Sequence, residues 1–202
     1  MPATGIRVPA FKEWAVVVQA LLEGEQILDV RKGGIREDGR HFALQSDRCW
    51  LYPTTEHQRA ELCKPAYARW VAETEAAAPP DRAVEIAGWA EVVGVAQVTE
   101  PEVLDTLDGQ VIWSRDYVGA RFSWMRRNPL WVLALRVHRL HEHLVVPFRD
   151  AYGGCTSWVM LDGLPDDPAS LPSEPALSDV AFEAKYKRAA EAIPGGFAPP
   201  KV

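Results

Sequence analysis

Residues 24–34 constrain the fold more than any other segment, because a glycine, a short alternating strand and a glycine pair follow one another there. The segment before them, residues 11–22, carries apolar residues at three- to four-residue spacing and predicts a helix. Gly24 is suited to end that helix. Residues 26–31 then alternate between apolar and polar side chains, so the sequence predicts a strand that runs into a loop rich in glycine and charge.

Further strands and helices follow in an order that lacks a regular βαβ alternation. Strands are predicted at residues 41–44, 49–52, 83–98 and 130–140, and helices at residues 55–71, 99–107 and 179–193. This order favours an α+β fold, with a curved antiparallel sheet or a partly open β-barrel and helices on its flank. Residues 1–163 are assigned to this domain, and residues 164–202 to a proline-rich C-terminal extension with one amphipathic helix.

Composition and charge limit the functions that this chain can have. With 202 residues, of which 48% are hydrophobic and 25% charged, the chain resembles an ordinary globular protein with a sizeable core. Its net charge of -6 argues against a general nucleic-acid coat protein. A local basic pocket is compatible with that charge.

Cysteine usage and the lack of targeting signals predict a cytoplasmic location. The cysteines are odd in number and none has C-x-x-C spacing, which is typical of reduced thiols. The first ten residues lack a signal-peptide pattern, and no apolar run approaches the roughly 20 residues of a membrane span. P-loop, dinucleotide-binding and serine-hydrolase motifs are absent, so we expect no cofactor and no membrane partner.

The polar residues of the 24–34 segment form the first candidate site. On a strand, Asp29 and Arg31 point the same way, about 6.6 to 6.8 Å apart. The aspartate can orient the guanidinium, which presents a planar fork to a carboxylate, a phosphate or a base edge. Beside Lys32, Gly33 lets the backbone turn and offer N–H groups to an anion. The alternative is a surface ion pair followed by a hairpin turn.

These residues also carry a family resemblance. Gly24, Gln26, Asp29 and Arg31 resemble the G-x-K-x-x-E-x-R signature of ASCH domains, a branch of the PUA-like superfamily. The resemblance implies a PUA/ASCH-like core in which a helix ends at the glycine and a strand carries the other positions. Gln26 stands where the family usually has lysine, and Asp29 where it has glutamate. Because glutamine cannot replace lysine as a base or nucleophile, the resemblance favours binding over catalysis.

Most of the chain is also similar to a bacterial family known as domain of unknown function 1802. This resemblance implies no activity, because the family has no established function. The segments that carry it are Lys12-Glu13-Trp14-Ala15, Arg31-Lys32-Gly33-Gly34-Ile35, Leu51-Tyr52-Pro53-Thr54, His57-Gln58, Trp131-Val132-Leu133 and Leu135-Arg136-Val137.

Tyr52, Thr54, His57 and Gln58 form a second candidate site at a predicted strand-to-helix junction. A tyrosine, a hydroxyl and an imidazole there could stack on a ring and bond to its edge or to a phosphate. His57 is in addition the candidate general acid or base of an enzyme. The alternative is a helix cap that leaves the histidine and glutamine exposed.

A third group of residues is basic and aromatic. Arg121, Trp124, Arg126 and Arg136 combine guanidinium groups with an indole, a mixture that suits a phosphate backbone with stacked bases. The alternative is a solvated loop whose aromatic residues fill the core. The chain has no cysteine or acid cluster beside its 138–143 histidines, so no metal site is assigned.

From these groups we predict a protein that binds RNA, single-stranded nucleic acid or a nucleotide. The pocket would combine the residues Asp29, Arg31, Lys32, Gly33, Tyr52, Thr54, His57 and Gln58, with Arg121, Trp124, Arg126 and Arg136 as auxiliary contacts. One alternative is a hydrolase or nuclease that acts on a nucleotide-like substrate with His57 as acid–base. Another is a protein-interaction module in bacterial stress or defence.

Overall fold

The computed structural model describes residues 7–32, 44–124 and 129–201. Seven strands form one open sheet in the order β2-β5-β4-β3-β1-β6, with β7 paired to β5. The strands are β1 (Ala10–Trp14), β2 (Leu28–Lys32), β3 (Arg48–Thr54), β4 (Val84–Val98), β5 (Leu130–Val146), β6 (Trp158–Val159) and β7 (Ser173–Pro175). The helices are α1 (Ala15–Leu22), α2 (Ala68–Ala77), α3 (Glu102–Leu107), α4 (Arg115–Ser123) and α5 (Asp179–Ala192).

This architecture confirms the predicted α+β class with a mainly antiparallel sheet and flanking helices. Within the described ranges, β1 and β3 are parallel and the other strand pairs are antiparallel. The long strands β4 and β5 form the centre of the sheet, and their register shifts near Gly88 and again near Gly94. Such irregularities bend and twist a sheet locally.

The first predicted helix is wrong over its first four residues. Residues 10–14 form the strand β1 because their backbone groups pair with β3 on one side and β6 on the other. The helix starts only at Ala15. Its end is as predicted: Gly24 adopts φ +71° and donates to the Leu21 carbonyl, while Glu25 donates to the Ala20 carbonyl. These two hydrogen bonds form a Schellman motif, which favours glycine.

The helix predicted over residues 55–71, with a kink or split expected at Pro65, is wrong up to residue 67, and only its last four residues lie in α2. His57 adopts a φ of +63°, which a right-handed helix does not tolerate. Two short 3₁₀ turns follow, the second of which opens at Pro65, and α2 begins at Ala68. The predicted strand at 41–44 and the loop after Lys32 fall almost wholly outside the described residues.

Two hydrophobic clusters lie on the two faces of the sheet. Along β1 the side chains alternate, so Phe11 joins the larger cluster and Ala10 the smaller one. The C-terminal segment contributes to both the sheet and the core, since β7 pairs with β5 and Phe182 of α5 packs in the larger cluster. Within the part of the chain that the structure describes, no helix combines the length and hydrophobicity needed to cross a bilayer.

Candidate functional site

Three charged side chains meet beneath the ends of β1 and β2. The Arg31 guanidinium bonds through Nε to Asp29 Oδ2 at 2.8 Å and through Nη2 to Glu13 Oε2 at 2.6 Å. Arg31 Nη2 also donates to the Lys12 carbonyl at 2.9 Å. We call Glu13, Asp29 and Arg31 the acid–arginine cluster.

The cluster shows how strongly the sheet curves. Three strands separate β2 from β1 in the sheet order, which in a flat sheet would place them about 19 Å apart. A side chain of β2 nevertheless bonds directly to β1. The curvature therefore brings the two strands together around Arg31.

The cluster is almost completely buried. The side chains of Arg31 and Glu13 are 9% and 6% exposed, and that of Asp29 is fully buried. The guanidinium carbon of Arg31 also lies 4.2 Å from the centre of the Phe11 ring. Asp29 Oδ1 has no hydrogen-bond partner among the described residues. An unsatisfied buried acceptor is unfavourable, so this oxygen retains the capacity to accept a hydrogen bond.

Burial changes the acid–base properties of the cluster. It raises the pKa of Glu13 to about 7, because the attraction of Arg31 is outweighed by desolvation and the nearby negative charge of Asp29. Burial alone would lower the pKa of Arg31, but Asp29 and Glu13 together raise it. One guanidinium thus serves two carboxylates, of which Glu13 is the one that accepts a proton near neutral pH.

We expect Glu13→Gln to flatten the pH dependence of stability. Between pH 4.5 and about 7 the folded protein holds more protons at Glu13 than the unfolded chain does. The stabilisation is complete below pH 4.5 and is lost as the pH rises through about 7, which changes the free energy of unfolding by roughly 3 kcal/mol. Urea unfolding at pH 5, 6, 7 and 8 measures this slope.

A matched control is Glu183→Gln on the exposed side of α5, which should keep the wild-type slope. Equal slopes for wild type and Glu13→Gln would contradict the assigned titration.

Aromatic and basic side chains form a rim around the cluster. The Trp14 and Tyr117 rings lie 5.1 Å apart, and the Tyr117 hydroxyl bonds to the Arg121 guanidinium. Lys32 Nζ donates to the Phe122 carbonyl at 2.6 Å, and burial lowers the pKa of this lysine. Arg121 also acts on the cluster, because its charge lowers the pKa of Glu13.

The structure therefore brings Asp29 and Arg31 together near Arg121, whereas Lys32 lies on the opposite face of β2 and contacts Phe122 of α4. Trp124 follows α4 and is 47% exposed. Glu13, Trp14 and Tyr117 were not predicted as site residues. The family motif at residues 12–15 contained a signal for the first two, but the predicted helix over that segment concealed it.

Tyr52 and Thr54 do not join this site, so the predicted single pocket is split in two. The side chains of β1 alternate, and Lys12 therefore lies on the opposite face of the sheet from Glu13. Lys12 packs over the Tyr52 ring at 5.8 Å. Together with Thr54 they line a separate groove of about 460 Å³.

The structure also shows where three other predicted ligand residues lie. Gln58 is buried: its Oε1 accepts from the Val16 amide at 3.2 Å and its Nε2 donates to Thr74 Oγ1 at 3.0 Å, which holds α1 against α2. His57 is exposed, and Arg136 bonds to Asp179 and thereby ties α5 to the sheet.

Gly33 and Arg126 lie outside the described residues. His138 stacks on Trp89 with ring centres 4.0 Å apart, and His143 pairs with Glu85. Across residues 7–32, 44–124 and 129–201, no group of three or more histidine, cysteine or acidic side chains could hold a metal ion.

Gln26 has a structural role at the position where the ASCH signature usually has lysine. Its side chain is 1% exposed. Its Oε1 accepts from the Ile112 amide and its Nε2 donates to the Leu28 carbonyl, both at 2.8 Å. Both polar atoms of the amide thus bond to the backbone and hold the start of β2.

Comparisons with known proteins give a family and distant structural neighbours. No curated protein matches the sequence. A serine-to-alanine mutant of the ASCH protein from Zymomonas mobilis matches with 13% identity and a TM-score of 0.42, covering 82% of this chain and 94% of that one. A tyrosine-to-phenylalanine mutant of the same protein matches with 12% identity and a TM-score of 0.44, covering 78% and 91%.

The family match is more extensive than these structural likenesses. The family described as Domain of unknown function (DUF1802) matches residues 10–188, which include every described member of the cluster and its rim. This chain belongs to the DUF1802 family.

Proposed function

We propose that the acid–arginine cluster and its rim bind a ligand that contains a nucleobase, in RNA, single-stranded nucleic acid or a nucleotide. The observation that carries this proposal is the buried Asp29 Oδ1 without a partner among the described residues. It lies beside Glu13, whose pKa is raised to about 7 by burial. A ligand that opens the rim and reaches this oxygen would have to present a hydrogen-bond donor, and the amino and ring N–H groups of bases are such donors.

The two carboxyl groups are suited to different atoms of one base edge. Asp29 accepts hydrogen bonds through Oδ1, whereas protonated Glu13 can also donate one. Arg31 forms ion pairs with both carboxyl groups, so the positions of these groups are set before the ligand binds. Such preorganisation favours affinity because few side chains must be ordered on binding.

The rim supplies a stacking surface and positive charge. Trp14, Tyr117 and Arg121 are half-buried, so the cluster lies beneath a surface that a ligand can contact. A base could stack against the Trp14 ring, and Arg121 could meet a phosphate. In a chain with a net charge of -6, such a local group of cations is needed to attract an anionic polymer.

A role for His57 as acid–base does not form part of this proposal. His57 is exposed and lies after β3, whose Tyr52 and Thr54 line the groove on the other face of the sheet.

We expect wild-type protein to bind a fluorescent single-stranded RNA or DNA oligonucleotide, or a mononucleotide, at 20 mM salt. Arg121→Gln should weaken oligonucleotide binding and reduce the slope of log K against log salt by about 1, because one phosphate contact is lost. Trp14→Leu should weaken binding about tenfold without changing that slope, because stacking releases no counterions. Fluorescence anisotropy across a salt series measures both.

Arg188→Gln is the matched control, since Arg188 is exposed on α5. It should keep the wild-type affinity and slope. The proposal fails if the wild type binds none of these ligands at low salt, or if Arg188→Gln and Arg121→Gln weaken binding equally. Circular dichroism of each variant excludes unfolding as the cause.

A further inference from the structure

The groove on the other face of the sheet has the size and lining of a small-molecule site. Its volume of about 460 Å³ falls within the range of ligand pockets. Side chains of α1 and of the start of β4 form an apolar floor, which includes Val18, Leu22 and Val84. Polar side chains also line the groove, and Lys12, Tyr52 and Arg82 are among them.

Two of these polar side chains are cations. Lys12 is buried, and its Nζ donates to the carbonyls of Tyr152 and Gly154 at 2.9 Å each. The Arg82 guanidinium packs 3.6 Å from the centre of the Phe148 ring, which fixes its direction. The two positive charges are thus held in place by groups other than an acid.

A single acid lies between these cations, and it is weakly held. Glu56 approaches Lys12 Nζ at 3.5 Å and Arg82 Nη2 at 3.6 Å, both longer than a good hydrogen bond. Its side chain is 40% exposed. Because Glu56 is partly exposed and both distances are long, another carboxylate could take its place beside the two cations.

The charges of the lining favour a ligand with a single negative charge. Glu23 and Glu85 also line the groove, Glu85 paired with His143, so two acids remain in the lining with the two cations once Glu56 has moved away. A dianion such as a phosphate monoester would meet repulsion from them. A monocarboxylate would take the place of Glu56 and leave the rest of the ligand against the apolar floor.

We propose that this groove binds a small organic carboxylate with an apolar body, whose carboxylate displaces Glu56 from Lys12 and Arg82. This site lies on the opposite face of the sheet from the acid–arginine cluster, and it is independent of the function proposed there. Two chemical sources fit the description, an acyl chain and an aryl-substituted chain.

Calorimetry with octanoate and 4-phenylbutyrate tests the proposal and distinguishes the two sources. We expect the wild type to bind at least one of them, and to bind octanol at least about tenfold more weakly than octanoate, because octanol lacks the charge-assisted bonds. Acetate should not bind measurably, since it lacks the apolar body. Octanol that binds as tightly as octanoate, or no binding of either acid, would overturn the proposal.

Two exchanges give opposite results if Glu56 occupies the ligand's place. Arg82→Gln should weaken the binding of the acid about fivefold, whereas Glu56→Gln should tighten it about fivefold, because a competing ion pair is removed. Arg59→Gln, an exposed arginine that does not line the groove, is the matched control. Unchanged or weaker binding by Glu56→Gln would show that the carboxylate does not bind where Glu56 lies.

Discussion

Arg31→Met is expected to lower the free energy of unfolding by about 3 to 5 kcal/mol at pH 8, the range measured when one partner of a buried ion pair is removed. The variant leaves Glu13 and Asp29 facing each other in the interior without a counter-charge. It also removes the bond from the guanidinium to the Lys12 carbonyl, which links β2 to β1.

The deficit should shrink at pH 5, because Glu13 is then protonated and one buried charge fewer lacks a partner. Urea unfolding of wild type and Arg31→Met at pH 5 and pH 8 measures the two differences. Arg115→Met is the matched control, since Arg115 forms an exposed pair with Asp105, and it should change stability by less than about 1 kcal/mol.

The triple variant Glu13→Leu, Asp29→Leu and Arg31→Met tests the cause of the effect. Replacing a whole buried ionic group by apolar side chains is often neutral or stabilising. We therefore expect the triple variant to be more stable than Arg31→Met alone. If Arg31→Met changed stability by less than 1 kcal/mol at pH 8, the assigned burial of the pair would be incorrect.

Gly88→Ala is the second exchange with a large expected effect, a loss of about 2 to 3 kcal/mol. A Cβ atom at this position would lie 2.5 Å from the His138 carbonyl oxygen and 2.5 Å from Leu22 Cδ2. The leucine could turn aside, but the carbonyl belongs to the β5 backbone beside the register shift and cannot. The two central strands would therefore have to separate.

Gly119→Ala provides the comparison for that exchange, because a Cβ atom there has no neighbour within 4 Å among the described residues. Gly119 lies in α4, where alanine should stabilise by about 0.5 to 1 kcal/mol. Thermal and urea unfolding of both variants give the comparison. A Gly88→Ala protein as stable as the wild type would contradict the close packing of β4 on β5.

Elements with long periodic patterns could be predicted from the sequence. β5 and α5 were recognised because the apolar residues repeat over more than ten residues, with the period of a strand in β5 and of a helix in α5. β1 was missed because its five residues run directly into α1, and the combined apolar spacing imitates a longer helix. Nothing local in residues 55–67 signals the left-handed backbone at His57.

The site was predictable only where its residues lie on one strand. The alternation of β2 placed Asp29 beside Arg31, and their pairing is confirmed. Glu13 comes to the same guanidinium only through curvature across three intervening strands, which no local pattern encodes. Tyr52 was grouped in one pocket with Asp29 and Arg31 because sequence spacing alone gives no register between β1, β2 and β3.

Because β2 lies at one end of the sheet, its pairing depends on when its partner strand is synthesised. Among the described strands β2 pairs with β5 alone, so its neighbour is translated about a hundred residues later. A nascent chain that stops before residue 130 has no strand to hold Asp29 and Arg31 beside Glu13. Since contacts so distant in sequence form late, the acid–arginine cluster should form only after β5 has been synthesised. Truncated products should therefore lack any affinity that depends on it.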